Sequence, residues 1–144
     1  MEIHVLDLTQ YKKVPKFIAV EGPIGVGKTT LAQLLADSFG YQTFLEKPAE
    51  NPFLADFYKN PSKNALATQL FFLFQRVKQI QELKQDDIFF PVRISDFLLD
   101  KDQLFAKATL SDQELDLYKQ IYNYLSLDLP TPDLVIYLQA ESKT

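Results

Sequence analysis

No cysteine occurs in the 144 residues, which removes disulfides and cysteine-ligated zinc from consideration. His4 is the sole histidine, so a histidine-centred triad and a multi-histidine metal site are excluded as well. Long apolar runs are missing: the densest, Leu70–Phe74, falls far short of the roughly 20 residues that a membrane span needs. Met1–Gln10 mixes acids with single apolar residues and lacks a basic start followed by an apolar block, so it does not read as a secretory signal. There is no internal repeat and no low-complexity linker. Positive charge is also in deficit, with a formal net charge of −4 and a pI near 4.9. Such a surface repels a polyanion overall, so no nucleic-acid partner is expected, while a small anion in one basic pocket remains compatible. These absences imply a cytoplasmic protein with no membrane partner.

What is present is the balance of an ordinary globular chain, 47% apolar and 24% charged. The length fits a single domain, 1–144, yet is short for a complete two-substrate enzyme. Short apolar runs alternate with helical spacings. Phe17–Val20 reads as a strand running into the turn residues Gly22 and Pro23. Leu31, Leu34, Leu35 and Phe39 mark one face of a helix over Lys28–Phe39, and Gly40 stops it. Tyr41–Leu45 reads as a second strand, and Asn51-Pro52 as a helix opening. The longest helical pattern runs from Leu66 to Leu83. Ile88–Ser95 reads as a buried strand, with Arg93 awkward inside it. Helices are expected over Asp96–Lys107 and Asp112–Leu125, the latter opened by a Ser111/Glu114 capping box. Leu134–Leu138 forms a fourth strand. Strands spaced by helices of this length imply an α/β fold with a parallel sheet and right-handed crossovers.

One motif carries chemistry. Gly22-Pro23-Ile24-Gly25-Val26-Gly27-Lys28-Thr29 satisfies G-x-x-x-x-G-K-[ST] at every fixed position. Average residue usage gives a random match in a chain this long roughly 0.5% of the time, and the flanking strand and helix fit as well. A glycine-rich turn without a ligand therefore loses to a phosphate-binding loop. Gly22 and Gly27 let main-chain N–H groups approach phosphate oxygens, and the following helix points its positive end at the same anion. Lys28 supplies a mobile charge for the β- and γ-phosphates, and the Thr29 hydroxyl is placed to ligate Mg²⁺. The cofactors implied are ATP and Mg²⁺.

Ligands of a parallel sheet gather at the carboxyl ends of its strands. Glu46 follows the second strand there and could take the proton from a substrate hydroxyl. Asp96 ends the third strand at the same rim, where an acid can hold Mg²⁺ or its waters; the alternative is a helix N-cap. Gln69 and Arg76 are seven apart, on one helix face and roughly 10 Å from each other. Both residue types suit a base edge, but spacing alone favours simple solvent exposure.

The sequence resembles the deoxynucleoside kinase family, in particular its bacterial deoxyadenosine/deoxyguanosine kinase branch. The likeness rests on Gly22–Thr30, Phe44-Leu45-Glu46, Asn51-Pro52-Phe53-Leu54 with Phe57-Tyr58, Thr68-Gln69 through Arg76, Ser95-Asp96-Phe97 through Phe105-Ala106, and Pro132–Ala140. It implies a three-layer P-loop kinase fold with sheet order 2-3-1-4-5. It also implies phosphorylation of the 5′-hydroxyl of a deoxynucleoside, purine or deoxycytidine, for nucleotide salvage. Carried over residue by residue, it makes Lys28, Glu46 and Asp96 catalytic, with Glu46 the base, and extends the nucleotide loop through Thr30. Tyr58 matches the residue for the sugar 3′-hydroxyl, Gln69 and Arg76 the pair that reads the base, and Asp102 an acid that helps them. Family members usually form homodimers through helices.

Two departures stand out. Asp96 is followed by Phe97 and Leu98 where the family commonly has Arg-Ser; Lys101 or Arg93 could stand in for that arginine. No arginine-rich lid and no fifth edge strand follow Leu138, which leaves the order 2-3-1-4. Leu134–Leu138 would then be an uncovered edge. A lid arginine is worth about 10³–10⁵ in rate in related systems. The expectation is a truncated chain that binds nucleotide weakly and turns over poorly beside a longer, active parent. Two alternatives stay open: a nucleoside monophosphate kinase of the same fold, and a catalytically dead nucleotide-binding or dimerisation module in which helix Leu66–Leu83, with Phe71 and Phe72, pairs with its twin.

Overall fold

The computed structural model describes residues 2–3, 16–23, 27–84 and 92–139. His4, Ile24, Gly25, Val26 and positions 88–91 of the expected third strand lie outside them. The chain divides into two compact units, one built from 1–46, 85–98 and 131–144, the other from 47–84 and 99–130.

The first unit holds the sheet. Its strands are β1 (Glu2–Ile3), β2 (Phe17–Glu21), β3 (Gln42–Phe44), β4 (Arg93–Ser95) and β5 (Leu134–Gln139), in the order β1-β5-β2-β4-β3. The four longer strands are parallel and reproduce the expected order 2-3-1-4. β2 lies between two neighbours and is buried along its whole length, which explains its unbroken apolar run. β5 alternates instead: Leu134, Ile136 and Leu138 face the core, while Val135 and Tyr137 are exposed. The uncovered edge expected at β5 is corrected by the structure, since Glu2–Ile3 pairs antiparallel with Leu138 and Gln139. Asp133 closes the start of β5 onto the start of β2, its Oδ2 accepting from the N–H of Lys16 at 2.9 Å and of Phe17 at 3.0 Å.

Helix α1 (Lys28–Phe39) ends at Gly40, whose φ of +72° suits the left-handed turn that stops a helix. Its packed face is rotated from the expected one. Ala32 and Ala36 are buried in the sheet's core with Leu31 and Leu35 beside them, whereas Leu34 and Phe39 are exposed. The two small alanines let the helix approach the strands closely, which leucines at those positions would prevent.

The second unit is helical: α2 (Leu54–Lys59), α3 (Pro61–Gln81), α4 (Asp102–Thr109) and α5 (Asp112–Ser126). Asn51-Pro52 lies just ahead of α2, which begins at Leu54, and the Asn51 side chain accepts from the Phe53 N–H and donates to the Thr68 carbonyl. α3 starts five residues before the periodicity suggested, with Pro61 in its first turn, where a missing N–H costs nothing. The helix expected from Asp96 begins only at Asp102, after a 3-10 turn over Leu99–Lys101. α5 carries the expected capping box, Ser111 and Glu114 each taking the other's N–H. Leu73, Val77, Ala106, Tyr118 and Tyr122 form this unit's core.

Candidate active site

In the sheet unit, Gly27 leads into α1 with φ +99°, a conformation that side chains resist, and its carbonyl accepts the N–H of Leu31 at 3.0 Å. The first N–H groups of α1 have no partner within the helix and point where an anion is favoured. Lys28 is half-buried, while Pro23, Thr29 and Thr30 are exposed. β2 ends in Glu21, a buried carboxylate that sequence reasoning did not single out. Its Oε1 accepts the Gly22 N–H at 2.7 Å and lies 3.9 Å from Lys28 Nζ. The available signal was an acid closing an otherwise apolar strand just ahead of the glycine-rich loop.

Asp96 joins two chain segments at the carboxyl ends of β3 and β4. Its Oδ2 accepts the Thr29 hydroxyl at 2.6 Å, and its Oδ1 accepts the Glu46 N–H at 2.8 Å. Neither oxygen caps a helix. Thr29, Glu46 and Asp96 are therefore brought together. Hydroxyl and carboxylate oxygens this close are hard donors of the kind Mg²⁺ takes. Among the described residues no group of three or more His, Asp or Glu side chains could hold a metal. The Thr29 hydroxyl and the Asp96 carboxylate are the side-chain oxygens brought together here, a pair whose chemistry fits an ion that keeps phosphate and water ligands. Phe97, where the family commonly has arginine, is buried, and its carbonyl accepts the Ser95 hydroxyl. Arg93 is also buried, its guanidinium 5.8 Å from the centre of the Phe44 ring.

The helical unit holds the other candidates. Gln69 is only 7% exposed, which overturns the reading of it as a solvated surface residue. Arg76, two turns further along α3, lies over the Phe72 ring at 5.2 Å and donates through Nη1 to Asp102 Oδ1. Asp102, the first residue of α4, is 1% exposed, and its second oxygen accepts the Tyr118 hydroxyl. Burial pushes the Asp102 carboxyl above its ordinary value, against the opposing pull of the Arg76 charge and of the two hydrogen bonds. Burial first, then the bond to Asp102 and that residue's charge, push the Tyr118 phenol up as well, so it remains a donor. Tyr118 was not foreseen, because nothing in its spacing separates it from a core aromatic. Tyr58 stands 74% exposed on α2, with its ring tilted against Phe57.

A sequence profile of deoxynucleoside kinases matches residues 18–144. The chain belongs to the deoxynucleoside kinase family. It is 42% identical over 133 residues to a deoxyguanosine kinase of Bacillus subtilis (strain 168), covering 89% of this chain and 62% of that protein. It is 34% identical over 128 residues to a deoxyadenosine kinase of Dictyostelium discoideum, covering 84% and 50%. A deoxyadenosine kinase from M. mycoides, solved with bound dATP, superposes with a TM-score of 0.73 at 29% identity, covering 88% of this chain and 65% of that one. The same kinase solved with the products dCMP and a flexible dCDP gives 0.74. These family relatives act on nucleosides by name, which does not favour the monophosphate kinase alternative. The chain spans about 62% of the length of the Bacillus relative. No helix of the described residues is long and apolar enough to cross a membrane.

Proposed function

We propose that this chain grips ATP through residues 22–30 and serves the transfer of its γ-phosphoryl to the 5′-hydroxyl of a deoxynucleoside, a purine deoxynucleoside or deoxycytidine, in nucleotide salvage. The observation that carries the reading is the linkage through Asp96, which ties the Thr29 hydroxyl to the main chain of Glu46 in two hydrogen bonds. A donor for the metal side of the triphosphate and the acid that would activate an alcohol are thereby held to one carboxylate. Gly22, Pro23, Ile24, Gly25, Val26, Gly27, Lys28, Thr29 and Thr30 are assigned to the phosphates through the main-chain N–H groups that follow Pro23, the Gly22 N–H being taken by Glu21, with the Lys28 ammonium on the β- and γ-oxygens. Glu46 accepts the proton of the 5′-hydroxyl as that oxygen bonds to the γ-phosphorus; the bond to the β–γ bridging oxygen breaks and ADP departs with its electron pair. Thr29 and Asp96 would hold Mg²⁺, which when bound supplies charge neutralisation at the phosphate oxygens. Tyr58 is assigned to the sugar 3′-hydroxyl, and Gln69, Arg76 and Asp102 to the base.

The same reading makes the protein a cytoplasmic homodimer pairing through helices. Exposed Leu104 and Phe105 on α4 and Leu117 and Tyr124 on α5 support it as apolar surface. Incubation with labelled ATP, Mg²⁺ and deoxyguanosine, deoxyadenosine or deoxycytidine is expected to yield the labelled 5′-monophosphate. Lys28→Ala should reduce the yield by about a hundredfold or more. Transfer only to nucleoside monophosphates, or equal yield from both chains, would overturn the reading.

A further inference from the structure

Tyr118 is fully buried in the core of the helical unit, among Leu73, Val77, Ala106 and Tyr122. Packing explains the ring but not the hydroxyl, since a phenylalanine would fill the same space without an oxygen to desolvate. That hydroxyl donates to Asp102 Oδ2, while Arg76 Nη1 donates to Oδ1. The two donors come from different helices, α5 and α3, and together they fix the plane of a carboxylate on the first residue of α4. With either donor missing, the carboxylate could rotate about its last bond and turn an oxygen elsewhere.

We infer that Tyr118 is a positioning residue for base selection, holding Asp102 so that the Arg76–Asp102 pair presents donors rather than an acceptor to the purine edge. The inference rests on the assignment of Arg76 and Asp102 to the base. Guanine carries a carbonyl oxygen at position 6 and adenine an amino group. An edge of donors suits the first. A carboxylate oxygen released from Tyr118 is a buried acceptor in need of a proton, which suits the second and repels the first.

The test is calorimetric titration of deoxyguanosine, deoxyadenosine and Mg-ATP into the unaltered chain, Tyr118→Phe, Asp102→Asn and the double variant. Tyr118→Phe is expected to lower the deoxyguanosine-to-deoxyadenosine affinity ratio by roughly tenfold, the scale of one hydrogen bond to a charged group. Mg-ATP affinity stays unchanged, and adding Tyr118→Phe to Asp102→Asn moves the ratio no further. A ratio left unchanged by Tyr118→Phe in a chain that discriminates would overturn the inference alone. Equal weakening of all three ligands, or a full effect on the Asp102→Asn background, would overturn it too. An unaltered chain that binds Mg-ATP and neither nucleoside would defeat the base assignment itself, and the inference with it. Should Tyr118→Phe not fold, 3-fluorotyrosine at position 118 keeps the ring and strengthens the donor. The ratio then rises, and a fixed ratio refutes the inference.

Discussion

A carboxylate in the interior of a helical unit carries its solvation cost into every measurement of stability. For Asp102 that cost exceeds the help of Arg76 and Tyr118, so its native form holds a proton to higher pH than the unfolded chain does. The sign follows from linkage: where the native state binds more protons, stability rises as pH falls. Asp102 therefore contributes most below 3.8, its ordinary value, and loses that contribution as pH climbs through the raised native value. Urea unfolding of the unaltered chain and of Asp102→Asn between pH 8 and 4 should show their stability difference shifting in favour of Asp102 as pH falls; a shift the other way would refute the assignment. Side-chain partners are also where sequence reading reached least far. Glu46, Asp96 and Thr29 were legible because a motif and the ends of strands locate them. Gln69's burial and Tyr118's bond to Asp102 depend on neighbours in other helices, which periodicity cannot report.

Elements were legible where local chemistry alone decides them. Gly40 stops α1 because of its own backbone freedom, and Ser111 opens α5 through a residue three positions away. The boundaries that moved were those set by tertiary contact. Asp96 looks like a helix start in isolation, yet Thr29 and Glu46 claim both its oxygens and α4 begins six residues later. In α1 the buried stripe runs through Ala32 and Ala36, since closeness to the sheet outweighs the larger area of Leu34. The capping box permits a clean expectation: Ser111→Ala should destabilise the protein by about 1 kcal/mol, read as a lower urea midpoint with an unchanged slope. A loss below a few tenths would mean that α5 is held by packing alone.

Over the whole chain, the parallel sense followed from the alternation of strands with helices and the strand order from the family resemblance, while the antiparallel pairing of Glu2–Ile3 left no trace in so short a segment. Asp133 ties the start of β5 to the start of β2, receiving main-chain N–H groups 117 and 116 residues away. Asp133→Ala should cost about 2 kcal/mol in chemical unfolding, because it leaves two main-chain donors unmatched; an unchanged midpoint would show that water replaces the carboxylate without loss. The registration of Ile18 with Leu134 also has a temporal meaning. A growing chain exposes β2 early and must wait for the 116 positions from Ile18 to Leu134 to be read before the mate emerges. Until then that strand lacks one flank on the ribosome, so chaperone contact during translation should centre on residues 17–21.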